Sequence, residues 1–338
     1  RGKIVVSKKI KALALFSGGL DSALAIKLVK DQGVEVIALN FVSHFFGGKN
    51  EKAEKMAEQL GIKVEYVHFE KRHTEIVKNP VYGRGKNMNP CIDCHSLMFK
   101  VAGELLEKYD AQFVISGEVL GQRPMSQNSA ALEKVKKLSG MNDLILRPLC
   151  AKLLPPSKPE IEGWVDREKL LDIQGRSRHR QMAIAESYGL KEYPSPAGGC
   201  LLTDPAYSDR LRIIEKDGLL TEENSSLFHL IKYSRFFRFA KGKYLFVGRD
   251  HEQNEKITEL KDTGTLFLYG HKTPGPRMIG FGDLNEDEIL FAKELFSRYS
   301  KGKGNTEVEV TINDKVYRVL PVDMEKLEQK IKMYQIVG

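Results

Sequence analysis

Residues 89–95 read NPCIDCH, two cysteines three apart with a histidine directly behind them: Cys91, Cys94 and His95. The spacing fits covalent haem attachment (C-x-x-C-H), and its first four residues also fit half a zinc site or a dithiol redox pair. A third thiol lies far downstream at Cys200, after Gly198 and Gly199, and a fourth at Cys150 within the apolar stretch LILRPLCAKLL. Zinc would need His95 or Cys150 to complete a set of four ligands. The surroundings favour other duties for both, His95 as a helix-start residue and Cys150 as a small buried hydrophobe.

SGGLDS (17–22) suggests a different chemistry. Gly18 and Gly19 let the backbone turn tightly and approach an anion, while Ser17 and Ser22 add hydroxyl donors. A helix beginning near Leu20 would aim its free N–H groups and positive end at phosphate. No Lys-Ser/Thr follows the glycines, as a Walker loop requires, so transfer of AMP is favoured over transfer of a γ-phosphoryl group.

These residues need a scaffold, and the apolar pattern supplies one. Short apolar runs at 12–16, 34–41, 62–69 and 113–116 alternate with helical patterns from Ala23, around 51–60 and over 97–109. That alternation predicts an α/β fold with a doubly wound parallel sheet, whose ligands sit beyond the carboxyl ends of the strands. Both SGGLDS and GEVLGQR (117–123) fall at such ends. LLPPSKP (153–159) breaks the pattern, and a basic, mostly helical segment follows. Short β-like runs from about residue 221 predict a second, smaller α+β domain. The expected division is 1–155, 156–220 and 221–338.

A chain of 338 residues can bury its own core, so its four cysteines are not needed as a disulfide framework. Such sparse usage suits a reducing cytoplasm. ALALF is too short for a signal segment and no run is long enough for a membrane span, which also weakens the haem reading. The formal charge of +8 favours a polyanionic partner.

SGGLDS resembles the PP-loop of the N-type ATP pyrophosphatases, and this resemblance implies that ATP is cleaved to AMP and pyrophosphate. It further implies that Ser17, Gly18, Gly19, Asp21 and Ser22 bind the nucleotide, with Asp21 holding Mg²⁺. NPCIDCHSLMFK resembles the catalytic segment of tRNA 2-thiouridylases of the MnmA type, whose essential cysteine maps onto Cys94 and whose second cysteine maps onto Cys200. Cys91 departs from most members, where Asp is usual. Three thiolates at Cys91, Cys94 and Cys200 suit a [4Fe–4S] cluster with one open iron; persulfide chemistry and structural zinc are the alternatives. GEVLGQR resembles the loop of ThiI-type 4-thiouridine synthetases that borders the nucleotide, which implies a contact role for Gly117, Gly121 and Gln122.

Between residues 226 and 249, Lys232, Arg235, Arg238, Lys241, Lys243 and Arg249 interleave with aromatics and no acid intervenes. Cations neutralise phosphates and aromatic faces stack on unpaired bases, so the pattern suits RNA. VGRDHEQNEKIT and HKTPGPR resemble the NFACT-R RNA-binding module. A second basic run, Arg176, Arg178 and Arg180, is a candidate guide for a tRNA backbone. Together these readings predict an ATP-dependent tRNA sulfurtransferase. With no THUMP or rhodanese segment recognisable, its sulfur donor is expected to be external, sulfide or a persulfide carrier. A PP-loop tRNA ligase or amidotransferase would not need three thiolates, and a noncatalytic, zinc-stabilised RNA-binding protein would release no AMP.

Overall fold

Ala12 and Ala14 point to one side of a strand and Leu13 to the other, and the same alternation repeats on its neighbours. Val36, Ala38, Phe113 and Ile115 join the first face, whereas Leu39, Phe41 and Val114 join the second. A sheet apolar on both faces needs helices on both, which is the requirement of a parallel α/β architecture. The computed structural model of the chain describes residues 9–194 and 199–337.

In chain order the elements are β1 (Lys11–Leu15), α1 (Leu20–Lys30), β2 (Glu35–Val42), α2 (Glu51–Leu60), β3 (Lys63–His68), α3 (Glu70–Lys78), α4 (Cys91–Leu105), β4 (Phe113–Ile115), α5 (Ser129–Ser139), β5 (Ile145–Leu146), α6 (Lys158–Ile161) and α7 (His179–Ser187). Among the described residues the strands form one parallel sheet in the order β3-β2-β1-β4-β5. The order reverses at β1, so the crevice beyond the carboxyl ends of β1 and β4 is the ligand position for this topology.

Helix α4 begins at Cys91, six residues before the start expected from the apolar pattern at Leu97. Pro90 caps it, and the Cys94 N–H donates to the Pro90 carbonyl at 2.8 Å, closing the first turn.

The chain divides into two compact units after Cys200. The boundary falls inside the expected middle segment 156–220: its described residues up to Cys200 belong to the first unit, and those from Leu201 open the second. That second unit contains α8 (Pro205–Lys216), α9 (Ser225–Leu230), β6 (Arg235–Ala240), β7 (Lys243–Val247), α10 (His251–Glu259), β8 (Leu266–Gly270), β9 (Met278–Phe281), α11 (Glu286–Tyr299), β10 (Val308–Ile312), β11 (Lys315–Val319), α12 (Met324–Tyr334) and β12 (Gln335–Ile336). Its described strands make an antiparallel sheet in the order β11-β10-β8-β9-β7-β6-β12. Among the described residues no helix is long and apolar enough to cross a membrane.

Candidate functional site

The turn from β1 into α1 is made by Gly18, whose φ of +82° suits glycine and whose missing Cβ would lie 2.7 Å from Ala53. Gly19 caps α1 without a side-chain partner, so the first N–H groups of the helix face outward from the carboxyl edge of the sheet. The Ser22 hydroxyl donates to the Gly19 carbonyl at 2.9 Å and is thus committed to holding the turn. Ser17 stays exposed, its Oγ accepting from Gly19 N–H at 3.3 Å. Asn40 braces the turn from the next strand: its amide donates to the Phe16 carbonyl at 3.1 Å and accepts from Gly48 N–H at 3.1 Å.

The loop after β4 lies directly on this turn. A Cβ on Gly117 would meet Ser22 N at 2.6 Å, so only glycine permits the contact. Five residues on, Gln122 Nε2 donates to Asp21 Oδ2 at 2.7 Å, leaving Asp21 Oδ1 buried without a partner. Gly121, at φ +78°, turns the chain between the two.

Beside Gly117 is a residue the sequence reading passed over. Glu118 is buried, and its two carboxylate oxygens are both taken. His95 Nδ1 donates to Oε1 at 2.7 Å and Arg147 Nε to Oε2 at 2.8 Å. Burial pushes the Glu118 pKa up, but Arg147 and His95 outweigh it and hold the carboxyl down at about 2. Glu118 and Arg147 each follow an apolar strand run by one to three positions, and an isolated charge there was the available signal.

His95 thereby anchors the amino end of α4, where Cys91 and Cys94 stand one helical turn apart. Asn89 Nδ2 donates to Cys91 Sγ at 3.2 Å. Asp93, also missed and buried, accepts from Val81 N–H at 2.6 Å and Tyr82 N–H at 3.1 Å, pinning the preceding loop to the helix. Cys91 is half-buried and Cys94 buried. Burial first, then neighbouring Cys200, Cys91 and Asp93, push the Cys94 thiol well above its ordinary range. Cys200 is therefore an electrostatic neighbour of Cys94 despite their separation in sequence, while Gly198 before it lies outside the described residues. Cys150 stands apart, its thiol donating to the Glu118 carbonyl at 3.4 Å, and burial pushes it up to about 11.

Among the described residues no three His, Cys, Asp or Glu side chains are placed to hold a single metal ion. His95 and Cys150, the two residues that would complete a zinc site, are engaged with Glu118 instead. Cys91 and Cys200 both act electrostatically on Cys94, so the three thiols share one neighbourhood around it.

The basic residues divide by occupation. In the second unit Lys232, Lys241 and Arg249 are exposed. Arg238 forms a two-pronged pair with buried Asp217 at 2.8 and 3.0 Å, Lys243 pairs with Glu288 at 2.8 Å, and Arg235 lies over the Tyr299 ring at 4.2 Å. Phe236, Phe237, Tyr244 and Phe246 are fully buried core residues, which removes them as stacking surfaces for bases. In the first unit Arg176 is exposed, Arg178 half-buried, and Arg180 pairs with Asp172 at 2.7 Å.

Each unit matches a different protein family. Residues 7–173 match the family described as thiamine biosynthesis protein (ThiI), and residues 234–334 match the NFACT protein RNA-binding domain. A probable tRNA sulfurtransferase from Thermococcus kodakarensis is 30% identical over 51% of this chain and 42% of its own length. A tRNA-specific 2-thiouridylase, MnmA 2, from Fusobacterium nucleatum is 34% identical over 32% of this chain and 33% of its own. The chain thus spans less than half the length of these curated relatives. Among solved structures, a 4-thiouridine synthetase–RNA complex with bound ATP aligns over 65% of this chain and 53% of that one, with 19% identity and a TM-score of 0.40.

Proposed function

We propose, from a first unit that matches the ThiI family and a second that matches an RNA-binding domain, that the chain performs ATP-dependent thiolation of a tRNA uridine in a cytoplasmic setting. One observation carries the reading. The loop 117–122 touches both halves of such a reaction: Gly117 and Gln122 lie on the SGGLDS turn, while Glu118 holds the histidine next to Cys94.

The SGGLDS backbone and the amino end of α1 bind the ATP polyphosphate, with Asp21 as the ligand for Mg²⁺. A uracil oxygen attacks the α-phosphorus and pyrophosphate leaves, which turns that oxygen into part of a good leaving group. A sulfur nucleophile then adds to the ring carbon, and the oxygen departs with AMP. Cys91, Cys94 and Cys200 are the cluster ligands in this reading. Iron ligation would deprotonate a thiol that burial otherwise keeps protonated and leave one iron open to external sulfide. Exposed Lys232, Lys241 and Arg249 supply phosphate contacts to the tRNA.

The test is anaerobic purification followed by an iron and acid-labile sulfide assay and by thiolation of unmodified tRNA with sulfide and ATP. Iron with sulfide, plus thiolation lost in Cys94→Ala and in Cys200→Ala, is the expected result. Unchanged thiolation in either variant would sink the assignment.

A further inference from the structure

The segment 174–181 was read from sequence as a basic track, yet its backbone is fastened to the nucleotide loop. Gln174 bridges Leu120, Gly175 N–H donates to the Leu120 carbonyl at 2.9 Å, and a Cβ on Gly121 would touch Gly175 at 3.5 Å. Six residues after Gly175, in the first turn of α7, Gln181 is fully buried. Its Nε2 donates to Gln122 Oε1 at 3.2 Å, and Gln122 Nε2 in turn donates to Asp21 Oδ2 at 2.7 Å. A relay of two amides therefore runs from α7 to the carboxylate of the SGGLDS turn. Because each amide donates with its nitrogen and accepts with its oxygen, the relay fixes the orientation of both glutamines and the rotamer of Asp21.

The relay leaves polar atoms without a partner at both of its ends. Asp21 Oδ1 and Gln181 Oε1 are buried and unpaired, and so is Nε of Arg178, which lies between the two anchor points of the segment. Each such atom costs about 1–3 kcal/mol in an apolar surrounding, and a carboxylate oxygen left in that state is suited to a cation. The magnesium ion of a polyphosphate held on the SGGLDS turn meets that description.

We infer that Gln181 is a positioning residue of the nucleotide site, acting through Gln122 to aim Asp21 Oδ1 at the magnesium ion of a bound nucleoside triphosphate. The inference rests on the nucleotide reading above but not on the sulfur chemistry. It assigns the 174–181 arm to the ATP site.

The experiment is equilibrium binding of ATP to the full chain, with Mg²⁺ and in EDTA, for the parent protein, Gln181→Met, Gln122→Met and the double variant. Each single variant is expected to weaken binding of the magnesium complex about five- to tenfold. The double variant should lose no more than Gln122→Met alone, because both changes cut one relay. Binding in EDTA should stay within about twofold, a split that general damage would not produce. Additive losses, or equal losses with and without Mg²⁺, would overturn the inference. If Gln181→Met does not fold, Gln181→Asn, which keeps the amide but lacks the reach, should show the same magnesium-dependent loss. Parent protein that binds no ATP would instead overturn the nucleotide reading itself.

Discussion

His95 Nδ1 and Glu118 Oε1 meet at 2.7 Å, joining the amino end of the cysteine helix to the loop that lies against the SGGLDS turn. A short hydrogen bond to a buried carboxylate fixes where the amino end of α4 sits relative to β4. Arg147, at 2.8 Å from the other oxygen, neutralises the charge that the arrangement buries.

Glu118→Gln should therefore destabilise the first unit strongly. Removing one partner of a buried ion pair leaves Arg147 uncompensated, at about 3–5 kcal/mol. The pH dependence has a definite sign. Glu118 has a folded pKa of about 2 against an ordinary 4.5, so its stabilisation is complete above pH 4.5 and is lost as the pH falls towards 2. Urea midpoints measured through that window should fall more steeply in the parent protein than in the variant. Parallel curves would refute this account.

Gly117→Ala tests the contact with the phosphate turn. Its methyl group would have to displace Ser22 N from 2.6 Å, shifting the first turn of α1. ATP-dependent release of pyrophosphate should drop on the order of a hundredfold, as expected for a misplaced reacting group, with the purified variant still showing a cooperative melt. Normal turnover would mean that the turn absorbs the strain.

Thiol reactivity should follow burial. In the iron-free chain at pH 8, iodoacetamide is expected to label Cys91 well before Cys94 or Cys150, both buried and both pushed above the ordinary thiol range. Peptide mass spectrometry over a time course gives the order. Cys150 reacting first would contradict its place against the Glu118 carbonyl.

Two cations of the second unit should separate stability from binding. Arg238→Ala breaks the pair with Asp217, which also accepts from Tyr244 OH at 2.6 Å, and should cost about 1–3 kcal/mol in a denaturant titration. Lys241→Ala, at an exposed position, should leave stability within about 0.5 kcal/mol and reduce the salt dependence of tRNA binding by about one phosphate contact. The reverse pattern would reassign the RNA surface.

The parallel sheet was legible because both faces of its strands are apolar, and the tight strand-to-helix turn at SGGLDS because glycine has so few other uses there. The start of α4 was not legible, since Pro90 breaks a pattern from one side and caps a helix from the other. Strand β6 hid for a different reason. Arg235-Phe236-Phe237-Arg238-Phe239 mixes charge and aromaticity as an RNA surface would, yet Phe236 and Phe237 enter the core and Arg238 folds back onto Asp217. The relay through Gln122 and Gln181 has no sequence pattern, because residues so far apart are brought together only by the packing of α7.

The central position of β1 bears on how the site comes into being. Its flank pairs Ala12 with Phe113, so the turn carrying Ser17 to Ser22 gains its second wall only after a long stretch of chain has been made and returned to the sheet. Contacts of such sequence separation form slowly. A newly synthesised chain thus holds its SGGLDS turn and both cysteines of α4 for some time before the loop that connects them exists. Oxidation of Cys94, which burial shields once the fold is complete, is a hazard confined to that interval.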